Sequence, residues 1–372
     1  MSLDLGRPKP HIGESLGRPK RGSLHMQVKP LIIVLIIAAS SLSGCISGGN
    51  EIDEPRGPEP IKIAFSIKDD YSNFDENPYR LADYLAEQID RPVELYPITS
   101  DALALEALRF GSADMAFMDG GAGWVGWQKY GLQVAAADLK SDGRTYYQAH
   151  AWVLNGSDVA DAIQDNNEST DPFALLEGKT SCHTGWLKSA GMLIPMGYLI
   201  GNNYTEVLGD SEDIESLRNT IFNFFSDETS IPESGTPYYG YGGALKCLSD
   251  GTGDVAFAKD STVDKYCNNG QDGENEDWCL GLQDYVKLPA FGNAPSHPLM
   301  YQPNSISESD KAAIVSALVS LQDSEEGLSI LEHILNTPGI IEADAESHLD
   351  SYSGLISQVP GISQYMEEKY QV

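Results

Sequence analysis

The chain has 372 residues, 41% of them hydrophobic, and its 55 acidic against 24 basic side chains give a net charge of −31. That length suggests about two domains and is ample for two buried cores. So acidic a surface repels phosphates, which excludes nucleic acid and anionic lipid faces as natural partners.

The first 25 residues carry a duplicated LGRPK, from Leu5 and from Leu16, with no apolar pattern, and Met26 reads as the true start. Met26 to Lys29, the apolar run LIIVLIIAAS from Leu31 and the small residues before Cys45 form a lipoprotein-type leader. The run falls short of the roughly 20 apolar residues that a membrane-spanning helix needs, although a single anchor helix is the other reading of it. Residues 1–44 are therefore expected to be a leader and Cys45 the lipid-modified residue of an extracytoplasmic, membrane-anchored protein. Residues 45–60, ISGGNEIDEPRGPEP after the cysteine, read as a flexible tether. Without the first 44 residues, 18 basic side chains face 53 acidic ones, a net charge of −35.

In the body, IKIAFSI from Ile61 reads as the first strand and NPYRLADYLAEQI as the first helix. LRFGSADMAFMDG (Leu108 to Gly120) and LSDGTGDVAFAKD (Leu248 to Asp260) share the frame L-x-x-G-x-x-D-[MV]-A-F. Each reads as a helix end, a glycine stop and a buried strand whose last residues carry an acid or a lysine. Two copies 140 residues apart suggest two similar α/β lobes. YYQAHAWVLN reads as a strand leading out of the first lobe, and SISESDKAAIVSALVSLQ as a late capped helix.

Besides Cys45 there are four cysteines, Cys182, Cys247, Cys267 and Cys279. An even set in an exported chain reads as two disulfides, and four cysteines allow three pairings. Cys267 with Cys279 would clip the polar loop NNGQDGENEDW, leaving Cys182 with Cys247. No C-x-x-C spacing supports a cysteine metal site.

SCHTGWLKSAGMLIPMGY, from Ser181 to Tyr198, gathers residues suited to an anion. Thr184 reads as a helix N-cap, so the first-turn amides and the helix dipole would form an anion seat. Lys188 adds a positive charge, and Ala190 and Gly191 keep bulk away. Taken alone, an ordinarily capped helix explains the stretch better.

The stretch also resembles the transferrin family, with its frame S-C-H-T-x-x-x-R-[ST]-A-G-W-x-[IL]-P-[MI]-G. The resemblance continues through YYGYGGALKCLSDGTGDVAFAKDSTV (Tyr238 to Val263) and APSHP (Ala294 to Pro298). It is looser in ADMAFMDGGAG (Ala113 to Gly123) and RTYYQAHAWV (Arg144 to Val153). From about Ile61 onward the chain is thus similar to one transferrin lobe. The resemblance implies a bilobal, periplasmic-binding-protein-like (type II) α/β fold, with two mixed-sheet lobes, a cleft and a hinge. Lobe one would take 61–145 and 295–372, and lobe two 146–294.

Residue by residue, the resemblance implies iron ligands at Asp119, Tyr147, Tyr241 and His297, and anion contacts at Thr184, Lys188, Ala190 and Gly191. Lys259 matches a lysine outside the ligand shell. Lys188 stands where the family has arginine, keeping the charge without the two-pronged fork. No lysine lies between Lys311 and Lys369 to partner Lys259 as in the family. The implied cargo is Fe3+ with bicarbonate or carbonate. A carboxylate and two phenolates would supply three negative charges and a histidine a neutral nitrogen, leaving two octahedral positions for the anion.

Such a protein captures iron for uptake through a membrane transporter and is no enzyme. Two other readings compete. Receptors for phosphonate, phosphate and similar anions, which feed ABC transporters, share the fold and the anion seat but do not require Tyr147, Tyr241 and His297 together. GAGWVG (Gly121 to Gly126) is a literal G-x-G-x-x-G after an expected strand, a dinucleotide signal, but an exported chain meets little NAD. A metal-dependent hydrolase is less suited to phenolate-rich coordination, which favours capture over turnover.

Overall fold

The computed structural model describes residues 59–66, 74–165, 167, 169–268 and 274–372. The expected leader, Cys45 and all but the last two tether residues lie outside these. Among the described residues no helix is long and apolar enough to cross a membrane.

The chain begins with β1 (Ile61–Ser66), α1 (Tyr79–Ile89), β2 (Val93–Ile98), α2 (Asp101–Arg109), β3 (Met115–Phe117), α3 (Gly120–Tyr130) and β4 (Gln133–Asp138). It continues through β5 (Tyr146–Leu154), α4 (Asp158–Gln164), β6 (Ser181–Cys182), α5 (Ile194–Gly201), α6 (Glu215–Phe224), α7 (Gly240–Ser249), β7 (Val255–Lys259) and α8 (Thr262–Cys267). Then follow β8 (Tyr285–Lys287), β9 (Gly292–Pro295), β10 (Pro298–Tyr301), α9 (Glu308–Ser320), α10 (Glu325–Ile330), β11 (Ile340–Glu342), α11 (Ala345–Ile356) and α12 (Ile362–Lys369).

Two mixed sheets result. The first runs β11-β4-β10-β3-β1-β2, and in the second β5 pairs with β7, β8 and β9 while β6 closes the edge beside β7. β1 is parallel to both β2 and β3, and its Ile61, Ile63 and Ala64 are buried, as suits a strand covered by helices on both faces. On one of these faces α1 buries Leu81, Ala82, Tyr84 and Leu85, a single helical stripe. Each of its two fully buried leucines contributes about 2 kcal/mol.

The sequence repeat is a structural repeat. α2 and α7 each end at a glycine with φ near +70° (Gly111 and Gly251), a conformation that a side chain disfavours. From there the chain enters the inner strands β3 and β7. The late helix also forms as expected: Ser307 caps α9 by accepting from the Asp310 amide at 3.1 Å.

The chain crosses between the sheets twice, from β4 to β5 and from β9 to β10. The crossings are neighbours, since β5 and β9 pair antiparallel with Tyr146 opposite Pro295 and Tyr147 opposite Ala294. Ser296 N donates to Thr145 O at 2.8 Å, and Asp138 N to His297 O at 3.1 Å.

The last two helices do not belong to the first sheet alone. α11 packs against α5 and β9 as well as α3 and β4. Its Leu349, Tyr352 and Ile356 join a core that also holds Trp124, Ala149 and Leu193. A side chain at Gly197 or Gly292 would overlap Leu355, so glycine at both positions admits the helix.

Disulfides join Cys182 to Cys247 and Cys267 to Cys279, with Cα separations of 6.1 and 5.5 Å. The first ties β6 to α7.

Candidate functional site

Asp119 ends the loop after β3 and caps α3, accepting from Ala122 N at 2.8 Å through Oδ1. The Tyr370 hydroxyl donates to both of its oxygens, at 2.7 and 3.0 Å. Burial pushes this carboxyl upward, but those hydrogen bonds and the Lys369 ammonium outweigh it and hold the group below the ordinary carboxylate range. Asp101, at the start of α2, shows the reverse. Its burial and the neighbouring Asp119 charge push it up to about 6.

His297 follows β9, and its Nδ1 lies 3.2 Å from Asp138 Oδ2 while its backbone N donates to Asp138 Oδ1 at 2.6 Å. Asp138 is buried, and Lys140 Nζ donates to it at 3.0 Å. Burial works upward on Asp138, yet the bonds and charge of His297, with Lys140, bring it down to about 2. An ionised carboxylate only accepts, so Nδ1 carries a proton, and in the neutral form of the ring the lone pair is on Nε2. The hydrogen bond to Asp138 also raises His297 above the ordinary imidazole value, against burial.

Tyr147 lies on β5 at the first crossing, and Tyr241 in the first turn of α7. Burial pushes both phenols upward, and the neighbouring Tyr147 adds to the rise at Tyr241. The Asp119 charge adds to the rise at Tyr147, and the Lys259 ammonium sits 5.5 Å over the Tyr241 ring. The Asp119 charge also favours protonation of His297. A cavity of about 200 Å³ is lined by Asp119, Tyr147, Ser189, His297, Tyr352 and Tyr370. A second, of about 250 Å³, adjoins it at Asp119 and His297 and is lined also by Asp101, Asp138 and apolar side chains.

The anion-binding stretch departs from its sequence reading. Thr184 caps no helix. Gly185 (φ +128°) and Leu187 (φ +57°) turn the chain back on itself, and a π-helical turn, Ser189–Leu193, precedes α5. The left-handed conformation at Leu187 costs an ordinary residue about 1–2 kcal/mol, and the preference of leucine for other conformations hides the turn from sequence. Thr184 is thereby laid beside Gly191, where any side chain would overlap its hydroxyl. That Oγ1 is buried with no hydrogen-bond partner. His183 is fully buried, its Nδ1 2.8 Å from Gly191 O and its Nε2 3.1 Å from Ser181 Oγ. Ala190 is buried beside them. Lys188 instead is exposed, with Nζ 5.5 Å over the Tyr239 ring rather than at Thr184.

Sequence reasoning missed Asp101, Asp138 and Tyr370. Each comes from an element outside the matched stretches or at their margins, and none carries a local signature. GAGWVG opens α3, whose start is capped by the Asp119 carboxylate, and its Gly123 and Gly126 make room for Pro298, Leu105 and Leu132. Among the described residues no three His, Cys, Asp or Glu side chains converge on a metal position.

Two mixed-sheet α/β lobes, joined by paired crossing strands with polar side chains of both gathered beside them, define a cleft-type solute-binding protein of the type II periplasmic-binding-protein fold. A family model described as "ABC transporter, phosphonate, periplasmic substrate-binding protein" matches residues 63–348, and the chain belongs to that family. It is also 34% identical to serotransferrin of Equus caballus over 236 residues, 54% of this chain and 30% of that protein. Serotransferrin of Bos taurus is 35% identical over 235 residues, with the same coverages of 54% and 30%. Lactotransferrin of Desmodus rotundus is 32% identical over 230 residues, 53% of this chain and 30% of its own length. The chain thus spans less than a third of the length of these relatives.

Proposed function

We propose that this chain is an extracytoplasmic, lipid-anchored capture protein that takes up Fe3+ together with a carbonate-like anion and presents it to a membrane transporter, without turning over a substrate. The observation that carries the reading is the cavity on which Asp119, Tyr147 and His297 converge, with Tyr241 near enough for Tyr147 to oppose its ionisation. This donor set suits a hard trivalent ion, which prefers anionic oxygens. His297 is already turned for it, since its other ring nitrogen is held by a carboxylate, as is usual for metal-bound imidazoles. Across the cleft, the unpartnered Thr184 hydroxyl beside Gly191 suits an anion acceptor. Lys188 would have to swing from Tyr239 to add its charge.

Both phenols are protonated at neutral pH, as any tyrosine is, and burial makes them harder to ionise. The cation therefore displaces a proton from each, and uptake weakens as pH falls. Asp119 follows a strand of the first sheet and Tyr241 a loop of the second, so a bound ion favours whichever conformation brings both to it.

A second reading has its own support. The family match favours a phosphonate- or phosphate-type anion as the cargo, held by the same seat without metal. One measurement separates them: the visible spectrum of purified protein with ferric salt and bicarbonate. Phenolate-to-iron charge transfer gives a salmon-to-red band, and a colourless mixture that binds phosphonate in calorimetry refutes the iron reading.

A further inference from the structure

Resting on the metal-site reading, we propose that Tyr370 selects for small six-coordinate cations by blocking the bidentate face of Asp119. The geometry is specific. Lys369 Nζ donates to the Tyr370 hydroxyl at 2.9 Å, and an ammonium can only donate. The Tyr370 oxygen therefore accepts from Lys369 and points its own proton at Asp119, bridging Oδ1 at 2.7 Å and Oδ2 at 3.0 Å. A proton shared by both oxygens occupies the place where a cation gripped by both would sit.

Oδ1 also accepts from Ala122 N, which leaves it little capacity for another bond. A carboxylate offers about four acceptor positions, so a metal is left Oδ2, approached from the side of Asp101 and His297. The site is built to keep the phenol there. Tyr370 is 4% exposed, and a side chain at Gly121 would come within 2.7 Å of its hydroxyl.

Carboxylate denticity separates cations by size. Large ions take six to eight oxygens and readily accept a two-oxygen grip, whereas small ions demand near-octahedral geometry. One carboxylate oxygen, two phenolates, one imidazole and a two-oxygen anion make six donors. A two-oxygen Asp119 would make seven. Tyr370 is thus a positioning residue, acting on the cargo through Asp119.

The test compares gallium, a small trivalent ion supplied as its nitrilotriacetate complex, with terbium, a large one detected by tyrosine-sensitised emission. Both are titrated with bicarbonate into wild type and Tyr370→Phe, after circular dichroism has verified that the variant is folded. The wild type should prefer gallium, and in Tyr370→Phe the gallium-to-terbium affinity ratio should fall by about tenfold or more, the scale of outer-partner effects. Difference infrared spectra of terbium-loaded protein with labelled aspartate should show the wide carboxylate splitting of one-oxygen ligation in wild type and a narrow one in the variant. An unchanged ratio and splitting, with both ions bound, overturns the role of Tyr370 and leaves the metal site standing. A wild type that takes up neither ion overturns the metal-site reading, and this inference with it.

Discussion

Asp119 and Asp138 are held by Ala122, Tyr370, Lys140 and His297, while in the half built on the second sheet Thr184 keeps a buried hydroxyl with no partner and Lys188 lies out over Tyr239. Both halves are well packed, so the contrast is one of polar satisfaction. The first half is finished before any ligand arrives, which fixes ligand geometry at no later cost. The second carries an unmet hydroxyl and a left-handed leucine, each costing about 1–3 kcal/mol. Under the proposed function, a bound anion would recover part of that. The pair teaches that one side of a cleft can supply precision while the other supplies the reason to bind.

The largest effect is expected where the halves meet. Tyr241→Phe removes an anionic donor with almost no change in volume and should lower ferric affinity beyond the roughly hundredfold that loss of an outer partner costs. The charge-transfer band should vanish with the fold intact. A variant that binds iron like wild type removes the bridge between the two halves.

Next comes acid. His183 is buried neutral, and burial, opposed only by its bond to the Gly191 carbonyl, brings it down to about 4. Its folded value lies below the ordinary one of about 6.5, so on acidification the unfolded chain takes up the proton first. Stability should therefore fall as pH drops from about 6.5 to 4, by about 3 kcal/mol, and level off below. Urea midpoints at pH 7.5 and 4.5 measure this, and His183→Gln should flatten the slope. An equally steep slope in the variant would place the acid sensitivity elsewhere.

The smallest effect has the opposite sign. Thr184→Val removes an unsatisfied hydroxyl and should stabilise the ligand-free protein by about 1 kcal/mol, while abolishing the dependence of metal uptake on bicarbonate. Thermal unfolding and uptake titrations read the two consequences separately. A destabilised variant would mean that the hydroxyl is satisfied in solution and that the two halves do not differ in polar satisfaction.

What could be read from sequence follows the same divide. Asp119, Tyr147, Tyr241 and His297 lie in short stretches with their own frame, and the repeated L-x-x-G-x-x-D-[MV]-A-F gave both inner strands because helix end, glycine and apolar run are local signals. The partners that finish the first half were not legible. Asp101, Asp138 and Tyr370 reach the site from three elements spread over 269 positions, and only tertiary packing brings them together. Thr184 was misread as a cap for a related reason. The cap signature is local, but the left-handed turn at Leu187 that defeats it runs against the preference of its own residue.

The position of β10 has a consequence for how the molecule assembles. In the first sheet β10 is the strand that joins β3 to β4, and it follows the whole run from β5 to β9 in sequence. A chain emerging from its N-terminus holds β1, β2 and β3 together, but β4 gains no neighbour in that sheet until residues 298–301 arrive. The second sheet, drawn from the uninterrupted stretch 146–295, has all its strands by then. Synthesis thus imposes an order in which the inserted lobe can form first and the split lobe closes around its late central strand. Slow steps in refolding should therefore track contacts of β10, the late strand that must join two partners already made, β3 and β4.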